Sequence, residues 1–217
     1  MKKTFKGILF ALMAIISINA FAQEEETCEL YFKDFTIKAG ETKTIYLYLQ
    51  NNFLGRDFQV QVFFGEGITP VAVKARKYFV PIGRALGEGT VFSQLYDEGE
   101  RRLRMLSNNF DGESVFTPGD EPIAELKVKA DDNFSGKVIC QVKDIPGWTC
   151  KLNHDVINPD GTKGVVSVEQ KNYRKFNAYP AVTIPWLLAN GVEGGEYGIA
   201  DPVAVVAEAG IGSFVQD

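Results

Sequence analysis

From Cys28 to about residue 145, apolar and polar side chains alternate with a period of two, in short runs broken by turn-forming residues. Ile45, Leu47 and Leu49 alternate with Thr44, Tyr46 and Tyr48, and Phe58, Val60, Val62 and Phe64 with Gln59, Gln61 and Phe63. Leu103 and Met105 alternate with Arg102 and Arg104, and Ala124, Leu126 and Val128 with Glu125, Lys127 and Lys129. Val138, Cys140 and Val142 do the same against Ile139 and Gln141. Successive side chains of a strand point to opposite faces, so each run turns one face to a core and the other to water. Between the runs sit Ala39-Gly40, Asn51-Asn52, Gly65-Glu66-Gly67, Pro118-Gly119-Asp120 and Asp131-Asp132-Asn133. These residues tolerate left-handed and Asx-turn conformations. Runs near Tyr78–Val80 and Val91–Tyr96 add two strands, for a total of roughly eight or nine. The pattern predicts an all-β antiparallel β-sandwich of jelly-roll or Ig-like topology.

Strand character continues over Trp148–Leu152 and Gly164–Val168, on either side of a turn at Asn158-Pro159-Asp160-Gly161. Beyond Lys171 the periodicity disappears, and residues 171–217 are expected to form an irregular appendage packed on a sandwich of residues 23–170. Asp201-Pro202 opens the run Val203–Ala209, which Gly210 closes. Asp as N-cap, Pro at the first helical position and Gly past the end predict a short helix near 202–209.

The N-terminus changes the setting. Lys2, Lys3 and Lys6 precede an apolar run over Ile8–Ile18, followed by Ala20-Phe21-Ala22. This order predicts a secretory signal peptide over 1–22, cleaved after Ala22, and hence a secreted or cell-surface domain. The run is too short to anchor the chain across a bilayer, and no later stretch is apolar enough to do so, so membrane insertion is not expected. The chain carries a net charge of −5, and its leader holds three lysines and no acid, so the exported portion is more acidic still. An acidic domain is a poor partner for nucleic acid. Three cysteines, Cys28, Cys140 and Cys150, admit one disulfide and one free thiol in an oxidising compartment. A Cys140–Cys150 bridge across the turn at Asp144-Ile145-Pro146-Gly147 is one expectation and a Cys28–Cys140 bridge is another, with Cys140 pointing inward.

The opening Leu30-Tyr31-Phe32-Lys33-Asp34-Phe35-Thr36-Ile37-Lys38-Ala39-Gly40-Glu41-Thr42, followed by Ile45–Leu49, resembles the first two strands of cohesin-type domains with their A-G-E-T turn. Phe58–Val62, Gly65-Glu66-Gly67-Ile68 and Pro118–Leu126 are similar to later parts of the same pattern, so the likeness covers about residues 28–170. In style it resembles secreted proteins of Bacteroidetes-type bacteria. It implies a non-catalytic module that docks a protein partner or binds carbohydrate. In such proteins a dockerin segment often follows the sandwich, and Asn190–Asp201 resembles a degenerate half of one. Positions one, three and five of that loop would be Asn190, Val192 and Gly194. Val and Gly carry no oxygen-bearing side chain for calcium, so no metal is expected there.

The chain offers little for catalysis. His154 is the sole histidine and lies in the polar stretch Asn153-His154-Asp155, which reads as a surface loop. Without a second histidine or a CxxC pair, the usual zinc sites are excluded. Acid clusters such as Asp97, Glu98 and Glu100 fall in turns, where carboxylates are solvated or cap local backbone. A calcium site from Asp120, Asp131 and Asp132 lacks diagnostic spacing. No enzyme, cofactor or metal site is expected. Binding remains: Tyr46, Tyr48, Gln59, Gln61 and Phe63 share the outward parity of two consecutive strands. Aromatic rings flanked by amides suit polysaccharide, with rings on pyranose faces and amides on hydroxyls. They suit equally a secreted or cell-surface protein partner. A structural or adhesin-type module without glycan affinity is the alternative, and a third reading has this aromatic face covered by the segment bearing Trp186, Leu187 and Leu188.

Overall fold

The structure is a computed structural model in which residues 25–75, 77–86, 90–109, 116–182 and 197–198 are described. The leader over 1–22, the loop Asn190–Asp201 apart from Tyr197–Gly198, the helix near 202–209 and the Trp186-Leu187-Leu188 cover lie outside those residues. Two sheets face each other. The first comprises β1 (Cys28–Tyr31), β3 (Thr42–Asn51), β9 (Gly119–Ala130) and β5 (Ile68–Val71) in that order, with β6 (Phe79–Pro81) also paired to β9. The second is built around β4 (Asp57–Phe63). One edge of β4 carries β8 (Arg102–Asn109) and then β7 (Thr90–Asp97). Its other edge carries β10 (Val138–Val142) and β11 (Lys151–Ile157) end to end. Beyond β11 lies β12 (Lys163–Glu169), and beyond β10 lies β13 (Lys175–Val182), which pairs with β2 (Phe35–Ile37) and with the short β14 (Tyr197–Gly198). Gly83–Ala85 form a single 3₁₀ turn.

The expected alternation fills the space between the sheets. Leu47 and Leu49 of β3, Phe58, Val60 and Val62 of β4, Met105 of β8 and Leu126 and Val128 of β9 are all fully buried. Burying side chains of this size supplies the main driving force for the sandwich. Aromatic rings fix the packing: Phe58 meets Phe116 edge-on with centroids 5.4 Å apart, and Phe32 stacks on Phe176 at 4.8 Å.

Two expectations are corrected. The stretch after Lys171 is not an appendage at its start, because β13 is a strand of the sandwich with Phe176 and Ala178 in the core. The sandwich therefore continues at least to Val182. β13 shows no period because its inward set is only Phe176 and Ala178, while Tyr179 and Pro180 add apolar character without burial in the core. The antiparallel β-sandwich itself is as expected; among the described ladders only β2 and β13 run parallel, with Phe35 opposite Ala178. Second, His154 is not a surface loop residue. It lies on β11 with its side chain 12% exposed, its ring 5.1 Å from that of Phe53 and its Nε2 3.0 Å from a Glu26 carboxylate oxygen.

Side-chain amides fasten the first sheet to the second: Gln94 of β7 bonds the Phe79 N–H and carbonyl of β6, and Gln170 does the same for β1. Gln170 is buried; its Oε1 accepts the Leu30 N–H at 2.9 Å, and its Nε2 donates to the Leu30 carbonyl at 3.1 Å. Its own N–H donates to the Cys150 carbonyl at 2.9 Å. The amide thus stands in for a missing strand neighbour of β1 and satisfies backbone groups that burial would otherwise leave unpaired.

Gln170→Ala is expected to cost about 2–4 kcal/mol, the penalty for two orphaned backbone groups, read as a lower urea midpoint with unchanged slope. Phe176→Ala is expected to cost about 3–5 kcal/mol. Truncation after Lys171 is expected to abolish cooperative unfolding, because it removes β13 and a core ring together. A truncated chain retaining a sharp thermal transition in circular dichroism would show that β13 is dispensable.

Candidate functional site

The five residues that share outward parity do not share a surface. Tyr46 and Tyr48 lie on β3 in the first sheet, and Gln59, Gln61 and Phe63 on β4 in the second. The chain crosses from one sheet to the other between Asn52 and Arg56 instead of turning back as a hairpin, so the two sets face away from each other across the core. Tyr46 is 39% exposed. Tyr48 stacks on Tyr31 with centroids 5.2 Å apart, beneath the Lys33 ammonium at 4.1 Å. The Tyr31 hydroxyl donates to Asp120 at 2.7 Å, and the Arg174 guanidinium lies 4.4 Å from its ring. Burial, and then that bond to Asp120, pushes the Tyr31 phenol up to about 12. The rings and charges of this cluster are satisfied by one another, which leaves Tyr46 as the open aromatic of the set.

On the second sheet both glutamines are already engaged. Gln61 is fully buried, and its Nε2 donates to the Lys143 carbonyl at 2.7 Å; the Gln59 amide donates to the Thr149 carbonyl. These bonds hold residues 143–150 against the outer side of β4. The segment turns at Ile145-Pro146-Gly147-Trp148, where the Ile145 and Trp148 N–H groups and carbonyls bond reciprocally. Pro before a Gly at φ 80° is the sequence of a type II turn, in which the third position demands positive φ. The turn lays Trp148 on the sheet. The Asp144 carboxylate accepts the Cys150 N–H at 2.7 Å and closes the segment.

Trp148 then becomes one wall of a shallow groove of about 200 Å³, lined also by Ser93, Leu95, Arg104 and Leu106 of β7 and β8. The Arg104 guanidinium lies 5.3 Å from the Trp148 ring. Phe63 continues the surface, with the Lys143 ammonium 4.3 Å and the Arg102 guanidinium 5.9 Å from its ring. Arg102 is itself anchored by Glu100 at 2.9 Å. Leu95 and Val91 stand out on the edge strand at 52% and 48% exposure. The face offers apolar contact area with the Arg104 and Lys143 cations at its rings, while Arg102 is paired with Glu100 and Asp97. Of the five expected residues, only Phe63 belongs to it. Leu95 escapes sequence reading because Val91–Tyr96 is apolar at both parities. Trp148 escapes because the sequence assigns it to a strand over Trp148–Leu152, whereas it closes the Ile145–Trp148 turn and the strand begins only at Lys151.

Among the described residues no cluster of His, Cys, Asp or Glu side chains is arranged to hold a metal ion. Asp120 lies in β9 and Asp131 just past its far end, roughly 35 Å apart at the rise of a strand, so they cannot share a calcium ion with Asp132. The three cysteines are buried free thiols. Neither expected bridge is feasible. Val142 pairs with Val62 and Lys151 with Gln59, so Cys140 and Cys150 flank β4 four positions apart, about 13 Å by strand rise. That exceeds the Cα separation a disulfide spans. Cys28 lies beside Leu152 and Val168, farther still from Cys140. Cys140 does point inward, at 1% exposure.

No protein-family model matches the chain, and no curated protein matches it in sequence. Solved structures do match. The seventh ScaB type I cohesin of Pseudobacteroides cellulosolvens aligns with a TM-score of 0.50 at 12% identity, over 73% of this chain and 95% of that one. A type I cohesin–dockerin complex of Clostridium thermocellum aligns at 0.51 and 14% identity, over 72% and 96%. The sixth cohesin of Acetivibrio cellulolyticus scaffoldin B, solved with a Cel5 dockerin, aligns at 0.50 and 10% identity, over 70% and 97%. At such identities the likeness concerns the fold, and nearly the whole of each cohesin is matched: this chain has a cohesin-like β-sandwich fold.

Proposed function

We propose that this protein is an exported, non-catalytic docking module that binds a protein partner through the outer face of β7, β8 and β4. The observation that carries the reading is the Trp148–Arg104–Leu95 groove. A well-anchored aromatic, an arginine and exposed aliphatic side chains are the residue types that dominate binding energy at protein interfaces. The cationic rim calls for a partner presenting carboxylates around an apolar anchor. Two of the similar solved structures are complexes with dockerins, which supports a dockerin-type segment as the partner class. A glycan is favoured less, because the Gln59 and Gln61 amides that would bond sugar hydroxyls are spent on the 143–150 segment. The leader over 1–22 supports action outside the cytoplasm.

The experiment is calorimetric titration of the mature chain with a panel of dockerin-type segments, beside a glycan array. Trp148→Ala is expected to weaken partner binding by about thirtyfold or more, the effect of losing a hot spot of roughly 2 kcal/mol. Leu95→Asp is expected to abolish it, and Tyr46→Ala on the opposite sheet to leave it unchanged. Affinity is expected to fall as salt rises, since the rim is cationic. Glycan binding lost with Tyr46→Ala would instead move the function to the first sheet.

A further inference from the structure

We propose that Cys28 and Cys150 are joined by a disulfide in the exported protein, tying β1 to the start of β11, while Cys140 stays a free thiol. The Cys28 thiol donates to the Val168 carbonyl at 3.2 Å, and its sulfur also lies beside the Leu152 backbone N–H. Leu152 and Val168 are opposite each other across β11 and β12. Cys150 precedes Leu152 by two residues and shares its inward face, both side chains being fully buried. One such step along a strand is about 6.6 Å, so Cys150 is the next inward position from the residue whose backbone the Cys28 sulfur touches, and the two thiols lie near enough that Cys28 helps push the Cys150 thiol up. Gln170 holds the two backbones in this relation, because it bonds both Leu30 groups two residues after Cys28 and donates its N–H to the Cys150 carbonyl. Among the described residues no other pair of thiols is so placed.

Burial pushes the Cys28 thiol up to about 11 and the Cys150 thiol up to about 12, and each thiol interacts with a nearby negative charge, Glu29 for Cys28 and Asp144 for Cys150. Thiols in this state supply almost no thiolate, so the closed sandwich is inert to exchange. Two thiols lose two protons and two electrons as the S–S bond forms, and a protein or small-molecule disulfide is reduced to two thiols. The inference rests on the export reading for its oxidising compartment, so the test supplies the oxidant directly.

The mature chain is denatured, reduced and refolded in a glutathione redox buffer, then denatured without reductant, alkylated and mapped by mass spectrometry. One alkylated thiol, at Cys140, and a linked Cys28–Cys150 peptide are expected. C28S and C150S are each expected to show two alkylated thiols, and C140S none with the bond intact. These counts are made on denatured chains and hold even if a variant folds poorly. Three alkylated thiols in the refolded wild-type chain, or any linkage that includes Cys140, would overturn the proposal. The same map on protein recovered from an export compartment tests localisation separately: the bond formed in vitro but absent there would refute export while leaving the pairing intact.

Discussion

A strand has two edges, and the arrangement of the second sheet follows from how β4 shares them. One edge is taken by β8. The other must serve both β10 and β11, which arrive antiparallel, one after the other. Nine steps of chain, from Val142 to Lys151, advance only three steps along β4, from Val62 to Gln59. The surplus cannot lie in the ladder and is expelled onto the outer face as the 143–150 segment. Its exposed backbone carbonyls need donors, and Gln59 and Gln61, outward on the strand beneath, provide them. The surplus is even, so Cys140 and Val142 before the segment and Cys150 and Leu152 after it keep the same inward face. An odd surplus would turn one half of this composite strand inside out.

This constraint explains what the sequence could and could not tell. Alternation depends only on parity, and wherever a strand is single and continuous the parity was legible: Ile45, Leu47 and Leu49, or Phe58, Val60 and Val62, are inward as their spacing requires. Parity does not say which sheet a strand joins. Tyr46 and Gln61 therefore look alike in sequence, yet they sit on opposite outer faces, because the chain changes sheets between β3 and β4. Nor does parity distinguish an amide that faces solvent from one that faces a segment folded over it. Pro146 and Gly147 announced a turn, but a turn in a hairpin and a turn in an expelled segment have the same residues. β13 was illegible for a different reason: with only Phe176 and Ala178 inward, its burial is imposed by β10 and β2 on either side.

The same expelled segment links architecture to the candidate interface. A flat sheet face of a small sandwich has few concavities, and recognition of a protein partner needs anchoring pockets as well as area. By laying Trp148 beside Leu95 and Leu106, the segment raises a wall on an otherwise even surface and makes a groove. The wall is firm because its supports are buried: Gln61 beneath it is fully enclosed, and Asp144 closes it onto the Cys150 backbone. A rigid aromatic wall loses little conformational entropy when a partner docks, which favours affinity from a modest contact area.

Placing the pinned turn at the candidate face also couples the stability of the core to the shape of the groove in one direction. The hydrogen bonds of Gln59 and Gln61 hold the groove wall, while the core itself is closed by Phe58, Val60 and Val62 on the other side of the same strand. Changes to the amides would loosen the wall without opening the core, and changes to the core would disturb both. Sequence variation on the outer side of β4 can therefore reshape the groove without dismantling the sandwich. That separation follows from the pleat, which sends alternate side chains of one strand to two different tasks.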